Sequence, residues 1–223
     1  MRPELIIFDC DGVLIDSEFI ASRLVARNMT EFGWPMRTED AMATFLGMSI
    51  VDMEPMIEAK LQRKLPEHWR RDLAAALVEA LGSEVTLIPH ARETLERVNE
   101  MGIAWRVASN SSDEEMAVKF ARTGLTDLTF GLCHSATSLG TVGVRPKPAP
   151  DVYLHAAASA RASPSRCLVL EDSGVGVTGA VAAGMICYGF APHGDGAHLT
   201  AAGAVKILRD LPEFLLELER MSA

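Results

Sequence analysis

The stretch Glu4-Leu-Ile-Ile-Phe-Asp-Cys-Asp-Gly-Val-Leu14 decides the fold class of this chain. Leu5 to Phe8 is a short apolar run, which predicts a buried β-strand. The run ends at Asp9 and Asp11, with a glycine directly behind them. Parallel strands in α/β folds present their carboxyl ends to the ligand crevice, and two close carboxylates repel each other unless a cation or proton lies between them. The stretch therefore predicts a site at the edge of a sheet that suits a magnesium ion and a phosphate.

Composition limits the class of protein. The chain has 223 residues, 48% of them hydrophobic, which is enough for a sizeable core. Its net charge is −9 and it contains no basic run, so we expect no nucleic-acid or membrane partner. No apolar stretch approaches a membrane span or a signal peptide, and the four cysteines form no CxxC pair. We expect a cytoplasmic protein that is a monomer or a weak dimer.

Helix signals dominate residues 17–84. Ser17 is a candidate N-cap of a first helix, and Ser49 of a later one. Pro66 suits the first turn of a further helix, which we expect to end at Gly82. This part of the chain therefore predicts an all-helical block.

Strands and helices alternate from residue 85 onward, which is typical of a parallel sheet covered by helices. The predicted strands are 103–108, 128–132, 167–170 and 186–190. The predicted helices are 89–101, 112–124 (opened by a capping box), 150–160, 175–183 and 211–221. We therefore predict an α/β fold, with a doubly wound parallel sheet formed by residues 1–16 and 85–223. Residues 17–84 are an all-helical insert, well placed to act as a lid.

Polar residues follow the predicted strands at four places. These are Asp9 with Asp11, Ser109-Asn110-Ser111, Lys147 within Arg145-Pro-Lys-Pro-Ala-Pro150, and Glu171-Asp172-Ser173. In an open parallel sheet such positions converge on one edge. They supply what phosphoryl transfer requires: a nucleophile, a proton donor, hydroxyl and amide donors, a fixed cation and ligands for a divalent metal. Magnesium prefers oxygen ligands, and two or three from the protein suffice.

These motifs, in this order, resemble the haloacid dehalogenase (HAD) superfamily, in its phosphatase and phosphoglucomutase-like group with a helical cap. The matching residues are Asp9-Cys-Asp11-Gly-Val-Leu, Ser109, Lys147 and Glu171-Asp172-Ser173. The resemblance covers essentially the whole chain. It implies a Rossmann-like core and a cap domain, residues 17–84, that closes over the site.

The resemblance also implies residue roles. Asp9 would be the nucleophile and would form an aspartyl-phosphate, while Asp11 would protonate the leaving oxygen and then activate water. Mg²⁺ would bind Asp9, the backbone carbonyl of Asp11, and Asp172, with Glu171 acting directly or through water. Two neighbouring carboxylates split into base and acid are a recurrent catalytic arrangement.

The phosphate oxygens would be held by Ser109, the backbone amide of Asn110, and Lys147. The expected enzyme is therefore a HAD-type phosphoric monoester hydrolase with Mg²⁺ as cofactor. Its partner would be a small-molecule phosphate ester.

Two departures from the family pattern bear on the reaction. The phosphoglucomutase branch has an arginine where this chain has Ile50, and a histidine where it has Ala21. Both groups help a mutase to hold a bisphosphate. Their absence favours a phosphatase, and β-phosphoglucomutase is the alternative.

Asp16-Ser-Glu18 and Ser109-Asn110 resemble bacterial sugar-phosphate phosphatases, including those acting on 6-phosphogluconate. We therefore expect a sugar or sugar-acid phosphate as substrate. The residues expected to touch its organic part are Glu18, Arg23, Asn28, Gly47 and Ser49.

A receiver-like phospho-signalling domain is the non-enzyme alternative. Such a domain also combines an acidic pocket, a Ser or Thr, and a Lys on an α/β sheet. It needs neither an insert of this length after the first strand nor an acid two residues beyond the nucleophile.

Overall fold

The fold is described by a computed structural model that covers residues 2–45 and 48–222. Its strands are β1 (Leu5–Phe8), β2 (Ile15–Asp16), β3 (Thr86–Leu87), β4 (Ala104–Ser109), β5 (Cys133–Ser135), β6 (Cys167–Glu171), β7 (Ile186–Phe190) and β8 (Lys206–Leu208). Six of them form a parallel sheet in the order β5-β4-β1-β6-β7-β8, and β2 pairs with β3 in a separate antiparallel ribbon.

The described residues form twelve α-helices. They are α1 (Glu18–Glu31), α2 (Thr38–Phe45), α3 (Ile50–Leu61), α4 (Trp69–Glu84), α5 (Ala91–Glu100), α6 (Asp113–Thr123), α7 (Thr126–Thr129), α8 (Ala136–Leu139), α9 (Asp151–Ser159), α10 (Gly174–Ala182), α11 (Ala197–Ala202) and α12 (Leu211–Ser222). Single 3₁₀ turns occur at Gly140–Val142 and Pro164–Arg166. None of the described helices is both long and apolar enough to cross a membrane.

The first strand is buried on both faces, which explains its uninterrupted apolar sequence. Ile6 and Phe8 belong to a hydrophobic cluster that includes residues of α5 and α12. Leu5 and Ile7 belong to a second cluster, with residues of α9 and α10. The doubly wound parallel sheet expected from the sequence is confirmed.

After β1 the chain forms β4 and β5 on one side of β1 and then crosses to form β6 on its other side. In open α/β sheets the ligand crevice lies beside such a reversal, at the carboxyl ends of the strands. Phe8 is aligned with Val107 of β4 and with Leu170 of β6. The residues that follow these three positions therefore meet at one edge.

Four helices, α1 to α4, lie between the two strands of the antiparallel ribbon. Ile15 is paired with Leu87, and Asp16 with Thr86. The two segments that connect the sheet to the helical block, β2 and β3, are therefore hydrogen-bonded side by side.

Several predicted helix ends are confirmed by their hydrogen bonds. Ser49 caps α3 by accepting the Asp52 amide. Ser112 and Glu115 form the predicted capping box at the start of α6, and Gly124 ends that helix in the left-handed region at φ 75°.

The strand predicted at residues 128–132 is wrong. The chain forms α7 there, and β5 begins only at Cys133. Leu125, Leu128 and Leu132 are spaced by three and four residues and pack against the hydrophobic core. Their spacing is typical of a helix, and a short apolar segment of this kind does not by itself distinguish a strand from a helix.

The limits predicted for the fourth helix also differ from the structure. Pro66 precedes α4, and its carbonyl accepts the Trp69 amide in a turn before the helix. Gly82 lies inside the helix, not at its end. A Cβ on Gly82 would lie 3.3 Å from the Cβ of Val118 in α6, so this glycine permits close helix packing.

A polar cluster lies beside β5, away from the strand ends described above. His134 Nδ1 lies 3.0 Å from His155 Nδ1, and His134 Nε2 lies 3.1 Å from the Ser159 hydroxyl, which also accepts Arg106 Nε. Burial, with the charges of His155 and Arg106, lowers the pKa of His134 from 6.5 to about 4, and Asp113 opposes this shift.

We predict that His134 makes stability fall on acidification. The pKa of His134 is lower in the folded chain than in the unfolded chain, so the unfolded chain binds more protons at acidic pH. The contribution of neutral His134 to the free energy of unfolding is therefore fully present above about pH 6.5 and is lost as the pH falls towards 4. Denaturant unfolding at pH 7.5 and pH 5 should show about 1–2 kcal/mol of additional loss in the wild type relative to His134→Asn. Exposed His193, replaced by Asn, is the control and should behave as the wild type. An identical pH dependence in wild type and His134→Asn would contradict the prediction.

Candidate active site

A cavity of about 240 Å³ lies over the carboxyl ends of β1, β4 and β6. On its sheet side it is lined by residues that the sequence singled out: Asp9, Asp11, Ser109, Asn110, Lys147 and Asp172. Helices α1 to α4 supply the opposite side. The structure therefore brings the four polar groups of the sequence to one place.

Asp9 is the residue immediately after β1, and it is buried. Its Oδ1 lies 2.6 Å from Lys147 Nζ. Burial raises the pKa of Asp9 to about 7, and the charges of Glu171 and Asp11 add to this rise, while Lys147 opposes it. A buried carboxylate beside one ammonium and two further carboxylates has an incomplete charge balance.

Lys147 is shared between Asp9 and Glu171. Glu171, at the end of β6, is fully buried, and its Oε1 accepts hydrogen bonds from Lys147 Nζ and, at 2.6 Å, from the Tyr153 hydroxyl. Its Oε2 accepts the Ser173 hydroxyl at 3.0 Å. Each oxygen of Glu171 thus has a protein donor, which fixes the carboxylate in one orientation.

Asp172 lies against Glu18 at the start of α1. Burial raises the pKa of Asp172 well above its usual value, and the nearby charge of Glu18 adds to the rise. The pKa of Glu18 is raised as well, chiefly by burial. Gly12 makes room for this pair: a Cβ there would lie 1.9 Å from Asp172 Oδ2 and 3.2 Å from Glu18 Oε1.

A divalent cation suits the donor set at this edge. Asp9, Glu171 and Asp172 each offer a carboxylate oxygen, and these atoms lie within 4.8 Å of one another. Hard cations such as Mg²⁺ prefer oxygen ligands of this kind. The raised pKa values of Asp9 and Asp172 also indicate carboxylates that a cation would stabilise in their ionised form.

Asp11 has a different environment from Asp9. Lys119 Nζ lies 2.7 Å and 2.9 Å from its two carboxylate oxygens. The hydroxyls of Ser17 and Ser111 donate to the same carboxylate. Burial alone would raise the pKa of Asp11, but Lys119 and these hydrogen bonds outweigh burial and hold it below its usual value.

The loop after β4 is fixed by hydrogen bonds to its neighbours. Ser109 Oγ, which lines the cavity, accepts the Ser111 amide at 3.0 Å. Asn110 Oδ1 accepts the Lys147 amide at 2.9 Å, which joins this loop to the one that carries Lys147. Ser135 and Thr137 donate to the carbonyls of Ser111 and Asn110.

The residues expected to touch the organic part of a substrate fall in different places. Ser49 and Glu18 line the cavity, although the Glu18 carboxyl faces Asp172. Arg23 and Asn28 are not among the described lining residues: Arg23 pairs with Glu84 at 2.7 Å, and Asn28 accepts Trp69 Nε1. The structure therefore does not support contact between these two residues and substrate. Gly47 lies outside the described residues.

Two residues that no sequence motif indicates also contact the acidic groups: Lys119 contacts Asp11, and Tyr153 contacts Glu171. Lys119 is 1% exposed, between Met116 and Phe120 on the buried face of α6. A lysine among apolar residues at helical spacing was the available signal, because a buried lysine needs a partner. Tyr153 lies on the buried face of α9, and nothing in its sequence context indicates contact with Glu171.

Residues 3–184 match the haloacid dehalogenase-like hydrolase family, so the chain belongs to this family. It is an enzyme of that type, and the phosphoric monoester hydrolase expected from the sequence agrees with the phosphatases among its relatives.

One such relative is the 6-phosphogluconate phosphatase of Escherichia coli K12, 27% identical over 198 residues that cover 86% of this chain and 85% of that one. A solved haloacid dehalogenase-like protein of unknown function from Agrobacterium tumefaciens C58 is 32% identical, with a TM-score of 0.82 and 99% of both chains covered. A putative β-phosphoglucomutase from Thermotoga maritima is 27% identical, with a TM-score of 0.72, covering 96% of this chain and 99% of that one.

We predict that Lys119→Met destabilises the fold by about 3 kcal/mol, because it leaves the Asp11 carboxylate in a partly buried site without its cation. Adding Asp11→Asn should recover part of this loss. Denaturant unfolding of the two single variants and the double variant measures the coupling energy. The control is Lys206→Met, which removes a more exposed ion pair with Glu217 and should cost less than about 1 kcal/mol. Additive losses for the two changes would contradict the prediction.

Proposed function

We propose that the protein is a Mg²⁺-dependent phosphatase that hydrolyses a small phosphorylated metabolite, of the sugar or sugar-acid phosphate type, through an aspartyl-phosphate on Asp9. One observation carries the proposal. The Asp9 carboxylate lines the cavity, 2.6 Å from the Lys147 ammonium and beside two further carboxylates.

In this proposal Asp9 attacks the phosphorus atom, and the bond from phosphorus to the ester oxygen breaks. Lys147, Ser109 and the amide of Asn110 hold the phosphate oxygens. The Lys147 ammonium has three N–H donors, and two of them are directed at Asp9 and Glu171. The third can therefore bind a phosphate oxygen.

Asp9, Glu171, Asp172 and the backbone carbonyl of Asp11 would contribute to the magnesium site. Mg²⁺, when bound, would offset the negative charges of these groups and of the phosphate.

Asp11 is proposed as the acid and base. It gives a proton to the departing oxygen, and it then takes a proton from the water that attacks the phosphorus atom of the aspartyl-phosphate. Its ion pair with Lys119 favours the carboxylate, whereas the first step needs the protonated form. A phosphate dianion in the cavity would favour protonation of a neighbouring carboxyl, because like charges disfavour ionisation.

We also propose that residues 17–84 form a cap domain on a core of residues 1–16 and 85–223. The antiparallel ribbon of β2 and β3 is where both connections cross. A movement about this ribbon would open or close the cavity, because its two walls come from the two parts of the chain.

The substrate class draws support from the name of the E. coli relative, a 6-phosphogluconate phosphatase. Mutase activity is the second candidate, since the T. maritima structure is described as a putative β-phosphoglucomutase. Ala21 and Ile50 line the cavity here and carry neither of the groups with which that branch holds a bisphosphate. Water is therefore the favoured phosphoryl acceptor.

Asp9→Asn should abolish the hydrolysis of p-nitrophenyl phosphate measured with Mg²⁺, because an amide cannot act as the nucleophile. The wild type should lose activity when the metal is chelated and regain it with added Mg²⁺. Asp210→Asn is the matched control: its carboxylate is exposed and accepts the Glu213 amide, which an asparagine can also do. Retention of a tenth of wild-type turnover in Asp9→Asn would exclude Asp9 as the nucleophile.

Phosphatase and mutase are separated by a coupled assay with β-glucose 1-phosphate. We predict that phosphate release greatly exceeds the formation of glucose 6-phosphate, with or without added glucose 1,6-bisphosphate. Formation of glucose 6-phosphate as the main product would establish the mutase instead.

A further inference from the structure

The cavity over Asp9 has two walls of opposite character. The sheet side carries the carboxylates, hydroxyls and lysines described above. The helical side is formed largely by apolar side chains, among them Val25, Phe45, Ile50, Met53, Leu77 and Leu81. A leaving group attached to a phosphate on the sheet side would extend towards this second wall, which we call the apolar wall.

No free cation is available to a negatively charged leaving group. Among the described residues that line the cavity, Lys119 and Lys147 are the only cations. Lys119 is paired with Asp11, and Lys147 with Asp9 and Glu171. Leu46 and Gly47, which lie outside the described residues, carry no charge in the sequence. A carboxylate on the leaving group would therefore be desolvated without a partner, beside several carboxylates of the protein.

Polar groups on the helical side are few as well. Helices α1 to α4 and their caps contribute four polar side chains to the described lining: Ser17, Glu18, Ser22 and Ser49. Three of these are already engaged, Ser17 with Asp11, Glu18 with Asp172 and Ser49 with Asp52. A polyhydroxylated chain would lose hydrogen bonds to water on entering and find few in return.

The size of the cavity limits the leaving group further. Ligand clefts typically enclose about 300–1,000 Å³, so a cavity of about 240 Å³ that must also hold the phosphate admits a small leaving group.

We propose that the alcohol released by this enzyme is small and uncharged and presents an apolar surface to the apolar wall. Within the proposed substrate class, the enzyme then favours phosphate esters of neutral, deoxygenated carbon skeletons and disfavours those of sugar acids. This inference rests on the proposed phosphatase function and narrows its substrate class, because it separates neutral from acidic leaving groups.

The test compares three phosphate esters with the same six-carbon open chain: n-hexyl phosphate, sorbitol 6-phosphate and 6-phosphogluconate. We expect kcat/KM to fall in that order, with 6-phosphogluconate at least tenfold below n-hexyl phosphate. Intrinsic reactivity does not produce this order, because a simple alkoxide is the poorest leaving group of the three. A value for 6-phosphogluconate equal to or above that for n-hexyl phosphate would overturn the inference.

A pair of variants tests the same wall from the side of the protein. Val51 lines the cavity and is half exposed, so it can be replaced without disturbing the core. Val51→Arg should raise the ratio of kcat/KM for 6-phosphogluconate to that for sorbitol 6-phosphate at least fivefold, because it places a cation at the wall. Val51→Gln is the matched polar, uncharged control and should leave the ratio unchanged. An unchanged ratio in Val51→Arg would show that the leaving group does not reach this wall.

Failure of this inference is distinguishable from failure of the proposed function. Mg²⁺-dependent hydrolysis of p-nitrophenyl phosphate reports the phosphatase chemistry alone. The order within the six-carbon series, measured on the same preparation, reports the character of the leaving group.

Discussion

The structure depends on the burial of acidic residues at β1, where the order in which the chain adds strands to the sheet reverses. Asp9, Glu171 and Asp172 are brought together because β6 lies beside β1 in parallel register, so that the carboxyl ends of the two strands meet. Close carboxylates in a poorly solvated site destabilise each other unless cations or protons offset their charge. Lys147 supplies one positive charge, and a divalent cation would offset the remaining negative charge of the carboxylates. Neighbouring residues leave room for these carboxylates. A Cβ on Gly176, for example, would lie 2.0 Å from Glu171 Oε2.

Two aspartates separated by one residue receive opposite environments. Burial and neighbouring carboxylates raise the pKa of Asp9 to about 7, whereas Lys119 and two hydroxyls hold the pKa of Asp11 below its usual value despite burial. The difference arises because three donors contact Asp11. Lys119 and Ser111 come from the segment after β4, and Ser17 comes from the start of the helical block. Two groups with the same chemistry can thus take different roles, since each contacts different elements of the fold.

The two walls of the cavity differ in chemical character. The sheet edge supplies charged and hydrogen-bonding groups held by loops after β1, β4 and β6, as parallel sheets commonly do. The helical block supplies shape and an apolar surface. The helical block is nevertheless packed against the rest of the chain, because its buried residues share one hydrophobic cluster with Ile6 and Phe8 of β1, and Gly82 of α4 lies against Val118 of α6.

The sequence by itself determined the class of fold, the positions of the strands that carry the site, and the acidic motif, because each depends on local periodicity or on a short run of residue types. The local pattern is wrong at residues 128–132, where leucines at helical spacing resemble a strand, and at Gly82, which lies inside a helix and not at its end. Only the tertiary structure decided that Lys119 pairs with Asp11, that Tyr153 and Lys147 share Glu171, and that Arg23 faces Glu84 and not the cavity. These contacts join residues far apart in the chain, and their partners are fixed by how helices pack across the sheet, which no local pattern records.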